Sequence, residues 1–294
     1  GEFLVMKPPA FHYEKPLSVD ELLDALTQHG NDARILAGGQ SLVPMMNFRL
    51  VSPEVLIDIN GLSELDYIRR DGDTLSIGAL TRHVSLNESL LVAELCPLLA
   101  EAYKHVAHVT IRNRGTIGGN LSHADPSSEI PAVCLCLEST MIVRSKKETR
   151  KISAGDFFLG ALETAIQPDE FLAEIRIPVR KPGVGSAFEE VSPRQGDFAT
   201  TAIAVTLHVD RGVCRSAAIA HAAVVDRPAR IEASEAALVG SRLDDRRITE
   251  AADLASVVVE PTVVNYHGDG EYKNDLVRAL TKRALQRALE NCAA

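Results

Sequence analysis

Apolar positions in the first third of the chain predict one amphipathic helix followed by several short strands. Within residues 18–30 the apolar side chains share one helical face, Ser18 and Glu21 have the spacing of a capping box, and Gly30 ends the pattern. Strand-like runs follow at residues 33–39, 54–59 and 74–80. A helix followed by strands indicates a mixed α+β layer.

The middle of the chain continues this mixture. A helical pattern at residues 89–107 is interrupted at Pro97, which removes a backbone donor. We expect Asp125 to cap the next helix, with Pro126 at its first position and Glu129 in its first turn. Strand patterns resume at residues 140–145 and 170–179.

A segment rich in proline and glycine, residues 178–186, separates this pattern from a new one. We therefore predict two domains, at residues 6–180 and 185–292. Strand patterns at residues 186–191, 199–210 and 214–225 predict an antiparallel sheet. Helical patterns follow at residues 229–240, 245–258 and 272–292, which makes the second domain a smaller α+β unit.

Composition excludes several classes of function. The 294 residues carry a formal net charge of −9 and contain no Lys/Arg-rich run, which argues against nucleic-acid binding. No apolar run reaches the ~18 residues of a membrane span and no secretory leader is visible, so we expect a cytoplasmic protein. The five cysteines include no C-x-x-C pair, so we predict no zinc site, iron–sulfur cluster or disulfide framework.

Two glycine pairs, residues 38–39 and 118–119, each follow a short apolar run and precede small polar residues. Without a Cβ, such a loop lets backbone N–H groups approach a phosphate closely. Gln40, Ser41 and Asn120 would add side-chain donors, so we predict that both loops bind one diphosphate. The chain has neither a G-x-G-x-x-G after a strand nor a G-x-x-x-x-G-K-[ST], which excludes a Rossmann or P-loop site.

Four motifs carry a wider resemblance: AGGQSLVP from Ala37, GALTRH from Gly78, RNRGTIGGNLSHADPSSEIPA from Arg112 and PRQGDFATTAIAV from Pro193. In this order they resemble the FAD-binding medium subunit of molybdenum hydroxylases, the family of aerobic carbon monoxide dehydrogenase and of enzymes acting on N-heterocycles. The resemblance implies an α+β fold with a two-lobed FAD-binding domain of the vanillyl-alcohol-oxidase type. A smaller C-terminal α+β domain, with a three-stranded antiparallel sheet and helices, would follow.

The resemblance also implies which residues bind FAD. The first glycine loop would hold the diphosphate, Glu129 would reach a ribose or ribityl hydroxyl, and Leu172 would border the flavin. The predicted cofactor-binding residues are Ala37, Gly38, Gly39, Gln40, Ser41, Leu42, Thr81, His83, Thr116, Ile117, Gly118, Gly119, Asn120, His123, Asp125, Glu129, Leu172 and Phe198. No residue is predicted to be catalytic or to bind a metal.

Two positions depart from the family pattern. Phe198 stands where relatives often carry a Tyr against the isoalloxazine ring, and a Phe keeps the apolar cover but cannot donate a hydrogen bond. Glu189 and Glu190 occupy a strand in which some relatives place a Lys near the flavin. Close carboxylates would disfavour an anionic reduced flavin, and the alternative is that both lie at a solvated strand end.

The resemblance implies an electron-transfer function. A large molybdopterin-binding subunit would oxidise the substrate, a small iron–sulfur subunit would relay electrons, and this FAD-binding subunit would pass them to an external acceptor. Molybdopterin and iron–sulfur clusters would lie on partner chains only, in a dimer of heterotrimers. Two alternatives stay open: a self-sufficient FAD-dependent oxidase or dehydrogenase, and a flavin-free scaffold subunit.

Overall fold

A computed structural model describes residues 6–257, 264–265 and 268–292, and within these ranges no helix has the length and hydropathy of a membrane span. The helices are α1 Val19–His29, α2 Leu42–Asn47, α3 His83–Glu88, α4 Leu90–Leu95, α5 Pro97–Ala102, α6 Val109–Arg112, α7 Ile117–His123, α8 Glu129–Cys136, α9 Ala154–Phe157, α10 Glu232–Leu238, α11 Asp245–Ala255 and α12 Gly270–Cys292. The strands are β1 His12–Glu14, β2 Ala33–Leu36, β3 Val55–Asp58, β4 Ile68–Asp71, β5 Thr74–Gly78, β6 Thr140–Arg144, β7 Thr149–Ser153, β8 Phe158–Gly160, β9 Glu163–Thr164, β10 Phe171–Pro178, β11 Val184–Val191, β12 Thr201–Asp210, β13 Val213–Ala222, β14 Ala229–Arg230, β15 Val264–Asn265 and β16 Gly268–Asp269. Short 3-10 helices lie at Gly30–Asp32 and Ser63–Leu65.

The first lobe contains a three-stranded parallel sheet, ordered β1-β3-β2, which shares a hydrophobic core with α1. α1 begins where the sequence predicts, because the Ser18 hydroxyl accepts a hydrogen bond from the N–H of Glu21 at 3.2 Å. Its fully buried Leu22 lies in one core with Ile57 of β3. β2 ends at Leu36, so the sheet fixes where the first glycine pair begins.

The second lobe contains a five-stranded antiparallel sheet, ordered β4-β5-β10-β6-β7. The predicted strand at residues 170–179 forms β10, which lies at the centre between β5 and β6. Leu75 and Ile77 of β5 are fully buried in one core with Leu99 of α5 and Leu121 of α7. The sheet therefore supports α7, the helix whose first turn contains the second glycine pair.

The sequence predicts two helix boundaries in this lobe, one at Pro97 and one at Asp125. The predicted break before Pro97 is confirmed, because α4 ends at Leu95 and Pro97 is the first residue of α5. The predicted cap at Asp125 is wrong. Its carboxylate closes a turn by accepting from the N–H of Ser127 at 2.8 Å, and α8 starts only at Glu129, after Ser128.

The C-terminal sheet is antiparallel and ordered β11-β12-β13-β14. The three predicted strands form, and β14, Ala229–Arg230, adds a short fourth strand where the sequence suggested the start of a helix. One face shares a core with α10, α11 and α12, and the other shares the core of the second lobe, including α5 and α8. The predicted helix at residues 245–258 ends at Ala255, and Val258 lies outside the described residues.

Candidate functional site

The two glycine pairs lie in loops that contact each other. Residues 37–41 form the first loop. Residues 116–120, which we call the second loop, comprise the capping residue Thr116 and the first turn of α7. A Cβ on Gly38 would lie 2.4 Å from the carbonyl oxygen of Arg114 and 2.7 Å from the Cα of Gly115, just before the second loop. A Cβ on Gly119 would lie 4.0 Å from the Cβ of Ala37. The two lobes thus bring both loops to one place, as the sequence predicts.

The first loop carries backbone donors that the fold does not use. Within the described residues, no hydrogen bond has the N–H of Gly38, Gly39, Gln40 or Ser41 as its donor. Gly39 has a φ of +73°, which a residue with a Cβ rarely adopts. Consecutive unpaired N–H groups in such a turn form a concave anion-binding surface. The loop therefore has the donors that a diphosphate needs.

The second loop uses its backbone donors inside the fold. The N–H groups of Ile117, Gly118 and Gly119 donate to the carbonyl of Thr81, the carbonyl of Ala79 and the hydroxyl of Thr116, at 3.1, 2.9 and 3.1 Å. A Cβ on Gly118 would lie 2.5 Å from the Cβ of Ala79, so this glycine permits close packing. The part of this loop that can face a ligand is the surface of Gly119 and the side chain of Asn120, both of which are partly exposed.

Asn60 and Arg82 connect the two loops. Neither residue is among those that the sequence predicts to bind FAD. The Asn60 amide donates to the carbonyl of Ala37 at 2.8 Å. The Arg82 guanidinium donates to the Asn60 side-chain oxygen at 2.7 Å and to the carbonyl of Arg114. The available signal was local, since Asn60 follows β3 and Arg82 lies within the GALTRH motif. Only the fold shows that the two side chains meet.

His83 lies beneath the second loop. The residue is 5% exposed, and its Nδ1 lies 3.2 Å from the hydroxyl of Tyr103. A Cβ on Gly115 would lie 2.7 Å from the His83 ring, so the ring supports the backbone that enters the second loop. Burial lowers the pKa of His83 to about 4, which keeps the imidazole neutral near pH 7.

Four more predicted residues are buried behind the loops: Thr81, Ile117, Glu129 and Leu172 are 1%, 0%, 3% and 4% exposed. The Thr81 hydroxyl donates to the carbonyl of Tyr67 at 3.0 Å. Leu172 lies in the core of the second lobe. These side chains offer little surface to a ligand, and their positions suit them to hold the loops in place.

The accessible predicted side chains lie near the loops and in the segment between β11 and β12. Those with partial or full exposure are Gln40, Ser41, Leu42, Asn120, His123, Asp125 and Phe198. Burial lowers the pKa of His123, and the nearby Asp125 carboxylate opposes that change. Phe198 is 55% exposed. In the same segment a Cβ on Gly196 would lie 2.6 Å from Nδ1 of His108, so this segment contacts the chain that leads into the second loop.

Comparison with known families covers most of the chain. Residues 9–180 match the family described as FAD binding domain in molybdopterin dehydrogenase. Residues 186–288 match the family described as CO dehydrogenase flavoprotein C-terminal domain. Both glycine loops lie within the first match, and Phe198 lies within the second.

Individual proteins show the same similarity along nearly their whole length. The chain is 39% identical to caffeine dehydrogenase subunit beta of Pseudomonas sp. (strain CBB1), with 97% of each chain covered. It is 38% identical to the carbon monoxide dehydrogenase medium chain of Hydrogenophaga pseudoflava, with 98% of this chain and 100% of that one covered. A solved structure of carbon monoxide dehydrogenase from the same species, which lacks the Mo-pyranopterin moiety, matches with a TM-score of 0.94 and 40% identity. That match covers 97% of this chain and 99% of the other.

Proposed function

The chain belongs to the carbon monoxide dehydrogenase flavoprotein family, and from this membership we propose that it works in an electron-transfer complex. Members combine an FAD-binding domain of the molybdopterin dehydrogenase type with a flavoprotein C-terminal domain. The predicted family, fold class and FAD cofactor are confirmed by these matches. The chain is the FAD-binding medium subunit of a molybdenum hydroxylase. We propose that it accepts electrons from an iron–sulfur partner and delivers them to an external acceptor.

The main structural support for this proposal is the first loop. The four consecutive N–H groups of Gly38 to Ser41, which donate to no group in the described part of the chain, are the donors that a dianionic diphosphate requires. The second loop completes the site from the other lobe, with Gly119 and Asn120 facing the ligand and Thr116 fixing the helix start. Gln40, Ser41, His123 and Asp125 are positioned to add polar contacts around the dinucleotide.

We further propose that the buried residues among those predicted to bind FAD hold the two loops in position and do not contact the cofactor. Thr81, His83, Ile117, Gly118 and Leu172 hold the loops and the adjoining sheet, since each is buried. Glu129 borders the same region at the start of α8, Ala37 begins the first loop, and Leu42 directly follows it as the first residue of α2. Phe198 covers the flavin with an apolar surface that donates no hydrogen bond.

When bound, FAD exchanges electrons singly or in pairs, which suits transfer between one-electron clusters and a two-electron acceptor. The protein orients the cofactor through the first loop and leaves the substrate chemistry to a partner. The proposed partners are a large molybdopterin-binding subunit and a small iron–sulfur subunit, in a dimer of heterotrimers located in the cytoplasm. The relatives named as medium chain and subunit beta support the multi-subunit part of this proposal.

The test is co-expression of the chain with its two genomic neighbours, one tagged, followed by absorbance spectroscopy. A co-purified complex with flavin and iron–sulfur bands supports the proposal. Steady-state turnover by the isolated chain would instead favour a self-sufficient oxidase or dehydrogenase. A colourless complex would favour the flavin-free scaffold.

Two glycine variants test the site itself. In Gly39→Val the new side chain meets both a positive φ and the Leu36 side chain, because even a Cβ would lie 3.1 Å from Leu36 Cδ1. In Gly119→Val the Cβ would lie 2.9 Å from the Thr116 hydroxyl that caps α7. We expect both variants to lose FAD. Full flavin occupancy in both folded variants would contradict the assigned site.

A further inference from the structure

The adjacent acids Glu189 and Glu190 have opposite environments, because successive residues of a strand face opposite sides of a sheet. The Glu189 carboxylate pairs with Arg283 and Arg287 of α12. The Glu190 side chain is only 1% exposed, and its Oε2 has no hydrogen-bond partner among the residues that the structure describes. A solvated strand end is therefore the wrong description for both residues.

A second buried acid, Glu129, lies on α8 and interacts electrostatically with Glu190, and α5 packs against both α8 and β11. Glu129, the first residue of α8, is 3% exposed, and the charge of Glu190 acts on it. No Lys or Arg of the described residues forms an ion pair with either carboxyl group. Two acids thus lie in one buried region without a compensating cation.

The groups around this pair do not supply positive charge. Asp125 precedes α8 and disfavours ionisation of Glu129, and the buried hydroxyl of Tyr103 lies near the same carboxyl group. His105 Nδ1 lies 3.8 Å from Glu190 Oε1, beyond hydrogen-bond distance, and burial lowers the pKa of this imidazole. Glu101 and Glu189 favour the charged imidazole, while Lys104 and Arg287 oppose it. The Ser192 hydroxyl favours the ionised form of Glu190.

A buried carboxylate without a cation or sufficient donors is costly, so the protonated form is favoured. Burial raises the pKa of Glu190 to about 7. Burial raises the pKa of Glu129 to about 8, with further contributions from Glu190 and Asp125, opposed by the N–H of Glu129 itself. Near neutral pH the pair therefore retains a proton, and a second ionisation would place two like charges in the same buried region.

The acid pair is connected to the second loop by covalent and hydrogen bonds. Ser128, directly before Glu129, accepts a hydrogen bond from the side-chain amide of Asn120 at 2.8 Å. The preceding turn is held from the other domain, because the N–H of Ala223 donates to the carbonyl of Pro126 at 2.7 Å. A displacement of the start of α8 would therefore reach Asn120 in the second loop.

We propose that Glu190 is a positioning residue: together with Glu129 it holds a proton at the domain contact, and loss of that proton displaces the start of α8 and weakens FAD binding. This inference rests on the proposed function, because it takes the second loop as part of the FAD site. It predicts that affinity for FAD decreases as pH rises through neutrality. Glu190 acts through α8 and Asn120, since its side chain is closed off from a ligand.

The experiment measures the FAD dissociation constant of the full chain by flavin fluorescence at pH values from about 6 to about 9, the range that spans both ionisations. Wild-type protein should lose affinity about tenfold or more across this range, as linked loss of one proton allows. Glu190→Gln should show a smaller dependence, and the double variant Glu129→Gln/Glu190→Gln should show almost none. Glu88→Gln, at an exposed acid at the end of α3, is the matched control and should follow the wild type.

The outcomes separate this inference from the proposed function. A wild-type chain that fails to bind FAD at pH 6 would contradict the proposed function. FAD binding with the same pH profile in wild type and double variant would contradict the acid pair alone. If the variants do not fold, infrared difference spectra of the wild type decide, since a buried protonated carboxyl band must disappear between pH 6 and 9. Absence of that band at pH 6 would overturn the proposal.

Discussion

Arg287 of α12 forms an ion pair with Glu101 of α5, joining the last helix of the chain to the second lobe. The same guanidinium bonds Glu189 at 2.6 Å and the carbonyl of Phe188 at 3.1 Å, both in β11. Glu101 in turn accepts from the N–H of Phe188 at 3.0 Å. This network connects α5, β11 and α12, so it should stabilise the contact between the two domains.

Arg287→Ala should therefore lower the free energy of unfolding by about 1–2 kcal/mol, since hydrogen bonds to charged groups are lost but part of the site is solvated. The arginine side chain is 43% exposed, which limits the effect, and Glu189 keeps its pairing with Arg283. Urea denaturation followed by circular dichroism measures this change. The control is Arg247→Ala, whose exposed pair with Glu250 lies within α11 and should contribute below about 0.5 kcal/mol. Equal losses in both variants would contradict a specific role for Arg287.

Gly38→Ala tests the contact between the two loops. The added Cβ would meet backbone atoms of residues 114–115 at 2.4 and 2.7 Å, and backbone cannot move aside as a flexible side chain can. We expect lower FAD occupancy and a loss of about 1–3 kcal/mol of stability, the usual range for overpacking. The ratio of flavin to protein absorbance and the melting temperature measure both effects. Gly155→Ala is the control, because its Cβ would lie 3.7 Å from the nearest atom, the Ser153 hydroxyl. Normal FAD content in the Gly38→Ala variant would show that the loops can separate without cost.

The sequence predicted that both glycine pairs belong to one site, but it did not predict what each glycine does. The strand before the first pair and the polar residues after both pairs are local signals. The strand expected before the second pair is wrong, because Gly118 and Gly119 follow α6 and lie in the first turn of α7. Whether a missing Cβ makes room for a ligand or for another chain segment depends on distant residues. Gly38 contacts Arg114, and Gly118 contacts Ala79, and no local pattern contains these pairings.

The strands and the adjacent acids Glu189 and Glu190 also show which features a local pattern predicts and which depend on distant residues. Long runs such as β10 and β12 were predictable, because eight to ten residues give a clear apolar pattern. The two-residue β14 and β9 carry no such pattern and form only where a neighbouring strand accepts them. Glu189 and Glu190 look alike in sequence, but in the fold Glu189 pairs with two arginines of α12, whereas Glu190 pairs with no arginine of the described ranges.

The burial of His221 should make the free energy of unfolding depend on pH in the acid range. The residue is 2% exposed in the C-terminal sheet, and in the described part of the chain its Nδ1 has no hydrogen-bond partner. Burial lowers the pKa of His221 from 6.5 to about 4. In the unfolded chain His221 binds a proton as pH falls below 6.5, whereas in the folded chain it does so only near pH 4. The stabilisation that neutral His221 gives the folded state is therefore complete above pH 6.5 and is lost as pH falls toward 4.

His221→Phe should show a shallower loss of stability in acid. Between these two pH values the wild type should lose about 1.4 kcal/mol per pH unit more than the variant, the value for one linked proton. Urea denaturation at a series of pH values measures the difference between the two proteins. Above pH 6.5 that difference should be constant, which serves as an internal control. Parallel curves throughout the acid range would mean that His221 is protonated in the folded state.

Arg82 and Asn60 provide a test of how the two lobes hold the site together. The Arg82 guanidinium contacts Asn60 at 2.7 Å and the carbonyl of Arg114, and the Asn60 amide contacts Ala37 at 2.8 Å. Arg82→Ala and Asn60→Ala should each raise the FAD dissociation constant, because each releases one side of the connection between the loops. The double variant should lose less than the sum of the two single losses, with a coupling of about 0.5–3 kcal/mol for residues in one hydrogen-bond network. Arg70→Ala is the control, since the exposed side chain of this arginine bonds the carbonyl of Gly72 in the turn between β4 and β5. Strict additivity would show that the two side chains act independently, whereas the expected coupling would make the Arg82–Asn60 contact the connection that transmits a change in one lobe to the glycine loop of the other.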